Sequence, residues 1–238
     1  MNDDELRGEF ERTASVRPGE PANAGREKTG LDDPRALDIL TTEHWSLLST
    51  RTLGYQEMFG RATIFVGVVS ATIVALALLA QATGFGRETL LLALLLLSVA
   101  LFIGLVTFVR SVAINYEDAR WVAGMNLLRH AYLQMAPELE RFFVTSHTPD
   151  ADQPTLGYGA PQRLGNLARS LTTTSSVVAA LNSVLGGALA SDVSALAGGG
   201  VAPSAMIGAA VSLVSAVLHV RYASHFRRRR APSARSAS

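Results

Sequence analysis

Apolar residues concentrate in two stretches, 62–109 and 171–220, and each is split by a short polar turn, leaving four windows of 19–21 residues. A helix needs roughly 20 residues to cross a hydrocarbon core of about 30 Å. Windows 63–82 and 89–109 meet that length with no ionisable side chain, while 172–190 and 201–220 meet it with more Gly, Ala and Ser. Buried helices of soluble proteins keep a polar face, and these windows have none. The pattern predicts an all-α integral membrane protein, with four transmembrane helices as two hairpins and a cytoplasmic helical stalk.

The polar remainder supplies the stalk. Residues 1–33 are acidic and rich in Gly, Pro and Arg, which predicts a disordered leader that buries too little surface to offset its ordering entropy. Asp33 before Pro34 reads as a helix N-cap with proline in the first turn. A cytoplasmic helix over 34–61 follows, with Leu37, Leu40, Trp45, Leu48, Tyr55 and Phe59 at helical spacing and a point at Thr41-Thr42 where it could break. It leads into the first transmembrane hairpin, 62–109. Over 110–146, Val112, Ala119, Val122, Met125, Leu128, Tyr132, Met135, Leu139 and Phe142 make an apolar stripe, predicting an amphipathic helix to about Val144 with a kink before Pro137. The helix over 34–61 is its expected partner. The stretch 147–170 carries Pro149, Pro154 and Pro161 and reads as a loop or linker. The second hairpin spans 171–220, and 221–238 reads as a basic, disordered tail.

Charge orients this plan. The net charge of +1 says little, because basic residues are distributed by topology. Arg51, Arg61, Arg110, Arg120, Arg129, Arg163, Arg169 and Arg221 share one side with the run Arg227, Arg228, Arg229, Arg230, whereas the turns 83–88 and 191–200 carry only Arg87, Glu88 and Asp192. Positive flanks favour the cytoplasm. The expectation is a multi-pass protein of the plasma (inner) membrane with both termini cytoplasmic. Residues 1–60 lack the basic n-region and short apolar core of a secretory signal, so the first span is expected to stay in the mature protein. The absence of cysteine excludes disulfides, thiolate metal sites and a cysteine nucleophile.

Candidate chemistry is sparse. Spans three and four carry small residues every fourth position, Ser175, Ala179, Ser183, Gly187 and Ser204, Gly208, Ser212, Ala216, a pattern for close helix packing in lipid. The two spans are expected to pack face to face, and the same chemistry would serve self-association or a pore lining. Asn182, at membrane depth, can hydrogen-bond across that interface or line a conduction path. The densest polar cluster is Glu117, Asp118, Arg120, Arg129 and His130, read as a network of helical ion pairs. No second histidine stands at ligand spacing from His130, so neither a metal nor another cofactor is expected. The four terminal arginines can anchor the last span or attract anionic lipid; nucleic-acid binding is not expected so near a bilayer.

Thr155-Leu156-Gly157-Tyr158-Gly159 resembles the potassium-channel selectivity filter, but Ser146 to Pro154 cannot form the pore helix that a filter requires. Gly124-Met125-Asn126 matches the three-residue signature of CorA-type magnesium channels, but it sits in the amphipathic helix instead of at the mouth of a span. Met125 reads there as a packing residue.

The segment from Asn115-Tyr116-Glu117-Asp118-Ala119-Arg120-Trp121 through Arg129-His130-Ala131-Tyr132 to Ala136-Pro137-Glu138-Leu139-Glu140, with Leu40-Thr41-Thr42-Glu43-His44-Trp45, resembles a widespread family of uncharacterised actinobacterial multi-span membrane proteins. The likeness covers roughly residues 35–147 and implies no activity. The order of helix, tight two-span hairpin and long cytoplasmic helix also resembles SLATT domains, which implies a pore-forming effector. The sequence therefore predicts a non-enzymatic membrane scaffold or assembly protein acting through its cytoplasmic helices. An oligomeric pore or small transporter is the alternative.

Overall fold

The computed structural model describes residues 30–84, 86–145 and 173–228. Among these residues there are four α-helices and no strand: α1 (Ala36–Thr83), α2 (Arg87–Met135), α3 (Thr174–Leu196) and α4 (Val201–Arg228), with a 3-10 helix at Pro137–Phe142. All four α-helices are long and apolar enough to cross a membrane. The chain divides into two compact units at Ile39 and Leu40. In the first, Gly30 takes a left-handed φ of 76° and the Asp33 carboxylate accepts the Arg35 N–H at 2.8 Å, forming a turn ahead of α1. Asp33 thus serves that turn, and the helix begins later, at Ala36.

In the second unit, α1 and α2 run antiparallel along a continuous seam. On α1 the inward residues recur every third or fourth position: His44, Leu47, Arg51, Gly54 and Met58, then Ala62, Phe65, Val69, Thr72 and Leu76. The α2 side repeats in the same way from Ala93 through Gly104 and Asp118 to Tyr132. This is the heptad spacing that lets side chains of one helix enter gaps on the other. Contacts that climb α1 descend α2. His44 stacks on Tyr132 with ring centroids 5.9 Å apart, Leu47 lies against Gly124, Gly54 lies under Trp121, and Phe65 reaches Gly104. At the far end Thr83 and Thr89 hydroxyls meet at 2.8 Å, and Gly84 turns the chain with φ 73°. A Cβ at Gly54 would come 2.9 Å from the Trp121 ring, so glycine is what admits the indole.

α3 docks on the flank of α2 next to this seam. Val178 and Leu185 join Phe108, Val112, Leu97 and Phe65 in one buried cluster. Thr173 caps α3 by accepting the Ser176 N–H, and Gly198, with φ 89°, ends it. α4 returns antiparallel to α3, with Gly187 against Gly208 and Ser212, and the Ser194 and Ser204 hydroxyls 3.0 Å apart. Backbones approach this closely only where side chains are small.

Several boundaries differ from the sequence reading. α1 passes Thr41-Thr42 unbroken, because β-branched residues cost a helix only a few tenths of a kcal/mol. α2 stops at Met135 instead of kinking on to Val144: Pro137 lacks an N–H, and Ala136 before it leaves the helical conformation (φ −143°, ψ 76°). α3 runs to Leu196, which puts Asp192 inside a helix instead of in a turn. α4 continues to Arg228, helical where the basic tail was expected, since arginine is a good helix former. The inward face of α1 also differs. Trp45, Leu48 and Phe59 stay exposed (64%, 38% and 56%), while the polar and small residues beside them make the seam. The linker with Thr155 to Gly159, Arg229, Arg230 and most of the leader lie outside the described residues.

Candidate functional site

Just beyond the apolar windows, the seam becomes charged. Arg110 grips Glu57 with two parallel hydrogen bonds, Nε to Oε1 at 2.9 Å and Nη2 to Oε2 at 2.7 Å, and extends Nη1 to Glu117 at 3.2 Å. Arg61 adds a bond to Glu57 at 2.9 Å. Further from the apolar windows along the same seam, Arg51 Nε donates to Asp118 Oδ1 at 2.6 Å and the Tyr55 hydroxyl donates to Oδ2 at 3.1 Å. The Asp118 side chain is 7% exposed, which makes this the most buried ion pair among the described residues.

These contacts set the proton affinities. The Arg110 guanidinium, with Arg61 behind it, holds Glu57 down at about 2, and Glu57 in turn holds Arg110 above the usual arginine range. Burial, with the Asp118 charge beside it, pushes the Tyr55 phenol up. Burial and then the Arg129 charge push the His44 imidazole down.

The polar cluster expected from sequence is therefore divided. Successive residues on a helix point about 100° apart, which follows from 3.6 residues per turn. Glu117 and Asp118 accordingly serve different partners. Arg129 donates to Asn126 Oδ1 at 2.8 Å, His130 meets Gln134 at 3.1 Å, and Arg120 is exposed. The partners that matter, Arg51, Tyr55, Glu57 and Arg110, lie largely on α1. Their signal in the sequence is placement: Glu57 and Arg110 stand just outside the two apolar windows joined by the first turn. Met125 and Asn126 are buried at 2% and 1%, and Gly124 faces Leu47. Among the described residues no three His, Asp or Glu side chains gather closely enough to hold a metal ion.

A second polar group lies between the apolar windows. Asn182 is fully buried, with its side-chain oxygen against Gly104, on which Phe65 also packs, and neither amide atom has a hydrogen-bond partner. It thus faces α2 and not the small-residue face shared with α4. Ser183 is buried and donates to the Ala179 carbonyl at 2.7 Å, while Gly187, Gly208 and Ser212 meet at the α3–α4 contact. Asp192 and His219, each 8% exposed, also have a buried atom without a partner, Oδ2 and Nε2. The His219 ring lies edge-on to Phe108 with centroids 4.5 Å apart. No protein-family model, curated protein or solved structure matches the chain.

Two outcomes follow for the charged seam. Asp118→Ala leaves Arg51 half-buried and unpaired, and should cost about 3 kcal/mol of stability in detergent. Adding Arg51→Met should recover most of that loss, as thermal or denaturant unfolding would report. Glu57 is held below its unfolded value of 4.5, so its contribution is complete above that pH and is lost as pH falls towards 2. The melting temperature of Glu57→Gln should therefore fall less than that of the native chain between pH 6 and pH 3.

Proposed function

We propose that the chain is a multi-pass protein of the plasma membrane, built as two transmembrane hairpins over a cytoplasmic stalk, and that it is a non-enzymatic scaffold whose stalk docks a partner. The observation that carries this reading is the exposed stripe Trp45, Leu48 and Phe59 on α1, outside the apolar window 63–82. Large apolar residues facing lipid need no explanation, but outside the bilayer such a patch marks an interaction surface. Its spacing continues around Thr52 at heptad intervals, which suits a helical partner. Behind it, the Arg51–Asp118 and Glu57–Arg110 pairs hold α1 rigidly against α2, so the stripe is presented on a fixed support. In this reading the basic flanks keep the stalk and both termini in the cytoplasm, where Arg227 and Arg228 can also meet anionic lipid.

Cysteines introduced into this cysteine-free chain test both parts. With Thr83→Cys and Ala195→Cys, an impermeant thiol reagent should label intact cells from outside, and with Gln153→Cys only opened cells. Outside labelling at position 153 would overturn the four-span arrangement. Thr52→Cys should give a specific cross-linked adduct in native membranes, lost when Trp45→Ser and Phe59→Ser are added without loss of folding. An adduct indifferent to those changes would remove the docking role.

A further inference from the structure

We infer that the interface between α2 and the α3–α4 pair is the closed form of a path for small cations. Among the described residues, the buried side-chain atoms without a hydrogen-bond partner belong to Asn182, Asp192 and His219. All three residues are on α3 or α4, and none is on α1 or α2. Asn182 points at Gly104 and His219 at Phe108, both on α2. Asp192 extends the α3 stripe that contains Val178, Asn182 and Leu185, which packs towards α2.

The chemistry of the free atoms selects the ligand. His219 Nδ1 lies 2.7 Å from the Ser215 carbonyl; a carbonyl only accepts, so Nδ1 carries a proton, and in the ring with that proton alone Nε2 offers a lone pair. Asn182 Oδ1 and Asp192 Oδ2 are also electron-pair donors to a metal cation, and Asn182 Nδ2 is the one hydrogen-bond donor among these unpartnered atoms. Between residues 174 and 220 Asp192 is the only formal charge, with no lysine or arginine to oppose it. Ionisable groups inside membrane helices mark ion paths more often than packing.

Val178, Leu185, Leu97 and Phe108 keep the interface dry, and Gly104 latches it. A Cβ on Gly104 would fall on Asn182 Oδ1 and within 2.6 Å of the Phe65 ring. Separation of α3 from α2 would bring water to every unpartnered atom, so hydration drives opening while apolar contact drives closure. The path lies within one chain and is independent of the stalk reading, though it rests on insertion in a membrane.

The full chain reconstituted in potassium-loaded liposomes provides the test, with insertion checked by flotation and folding by circular dichroism. Gly104→Ala should raise potassium efflux by about tenfold, as a decade's shift in the closed–open balance gives. Asn182→Asp, nearly unchanged in volume, should do the same and carries the test alone if Gly104→Ala does not fold. Chloride flux should stay at the native level, and adding Asp192→Asn should return potassium efflux towards it. Tight liposomes with folded, inserted variants would overturn the proposal. Equal leakage of potassium and chloride, or a leak indifferent to Asp192→Asn, would overturn it as well. Failure of the native chain to float with the liposomes would instead strike at the membrane reading.

Discussion

Interdigitation of α1 with α2 along one heptad seam is the constraint on which the rest of the structure depends. Lipid tails are as apolar as leucine, so two membrane helices gain little by hiding apolar surface from each other. Shape and polar contacts must select the pairing. The seam supplies both with a single repeat: Ala93, Ala100 and Gly104 admit close approach in the apolar part, and Arg51, Glu57, Arg110 and Asp118 set the register in the charged part. A slip by one turn would break both ion pairs together. A half-buried arginine or aspartate without its partner is costly, so the charges act against every register but one, even where the pairs themselves add little net stability.

The α3–α4 pair is held differently. Its own cohesion comes from backbone approach at Gly187 and Gly208, and its attachment to α2 comes from apolar contact. On the α1–α2 side the seam aspartate, arginines and hydroxyls have partners, down to the Ser111 hydroxyl on the Thr107 carbonyl at 2.8 Å. On the α3–α4 side, among the described residues, three buried polar residues each keep at least one atom without a partner. More than nine in ten buried polar groups are paired in native structures. An imbalance confined to one half of a bundle therefore identifies that half as the one whose docking is least committed.

The apolar windows were legible because a run of about 20 residues without charge constrains the chain whatever its partners are. The stop at Pro137 had a similar local cause. The inward face of α1 did not. Hydrophobic periodicity places Trp45, Leu48 and Phe59 in the interface, but the seam takes His44, Arg51 and Gly54 instead. Their fitness depends on what lies opposite: Gly54 is inward because Trp121 needs the space, and Arg51 because Asp118 needs the charge. Glu117 and Asp118 looked like one cluster because neighbours in sequence need not be neighbours in orientation. Asp192 was placed in a turn because the apolar window ends at 190, whereas the helix ends only at Leu196, ahead of Gly198 with its left-handed φ of 89°.

Gly104 joins the two halves of this picture. It lies on the α2 seam, where Phe65 of α1 packs against it, and it also receives Asn182 of α3. The space that admits the amide is therefore bounded on one side by the α1–α2 contact. Close-packed side chains transmit a displacement instead of absorbing it, and the same seam runs without interruption from Phe65 down to Arg51. A partner that tightened or loosened α1 against α2 would change the room left for Asn182, and hence the stability of α3 on α2. By linkage the reverse holds: separation of α3 from α2 would alter the packing of α1 on α2 at Gly104. One glycine without a side chain is thus the point at which the α1–α2 contact and the α2–α3 contact meet.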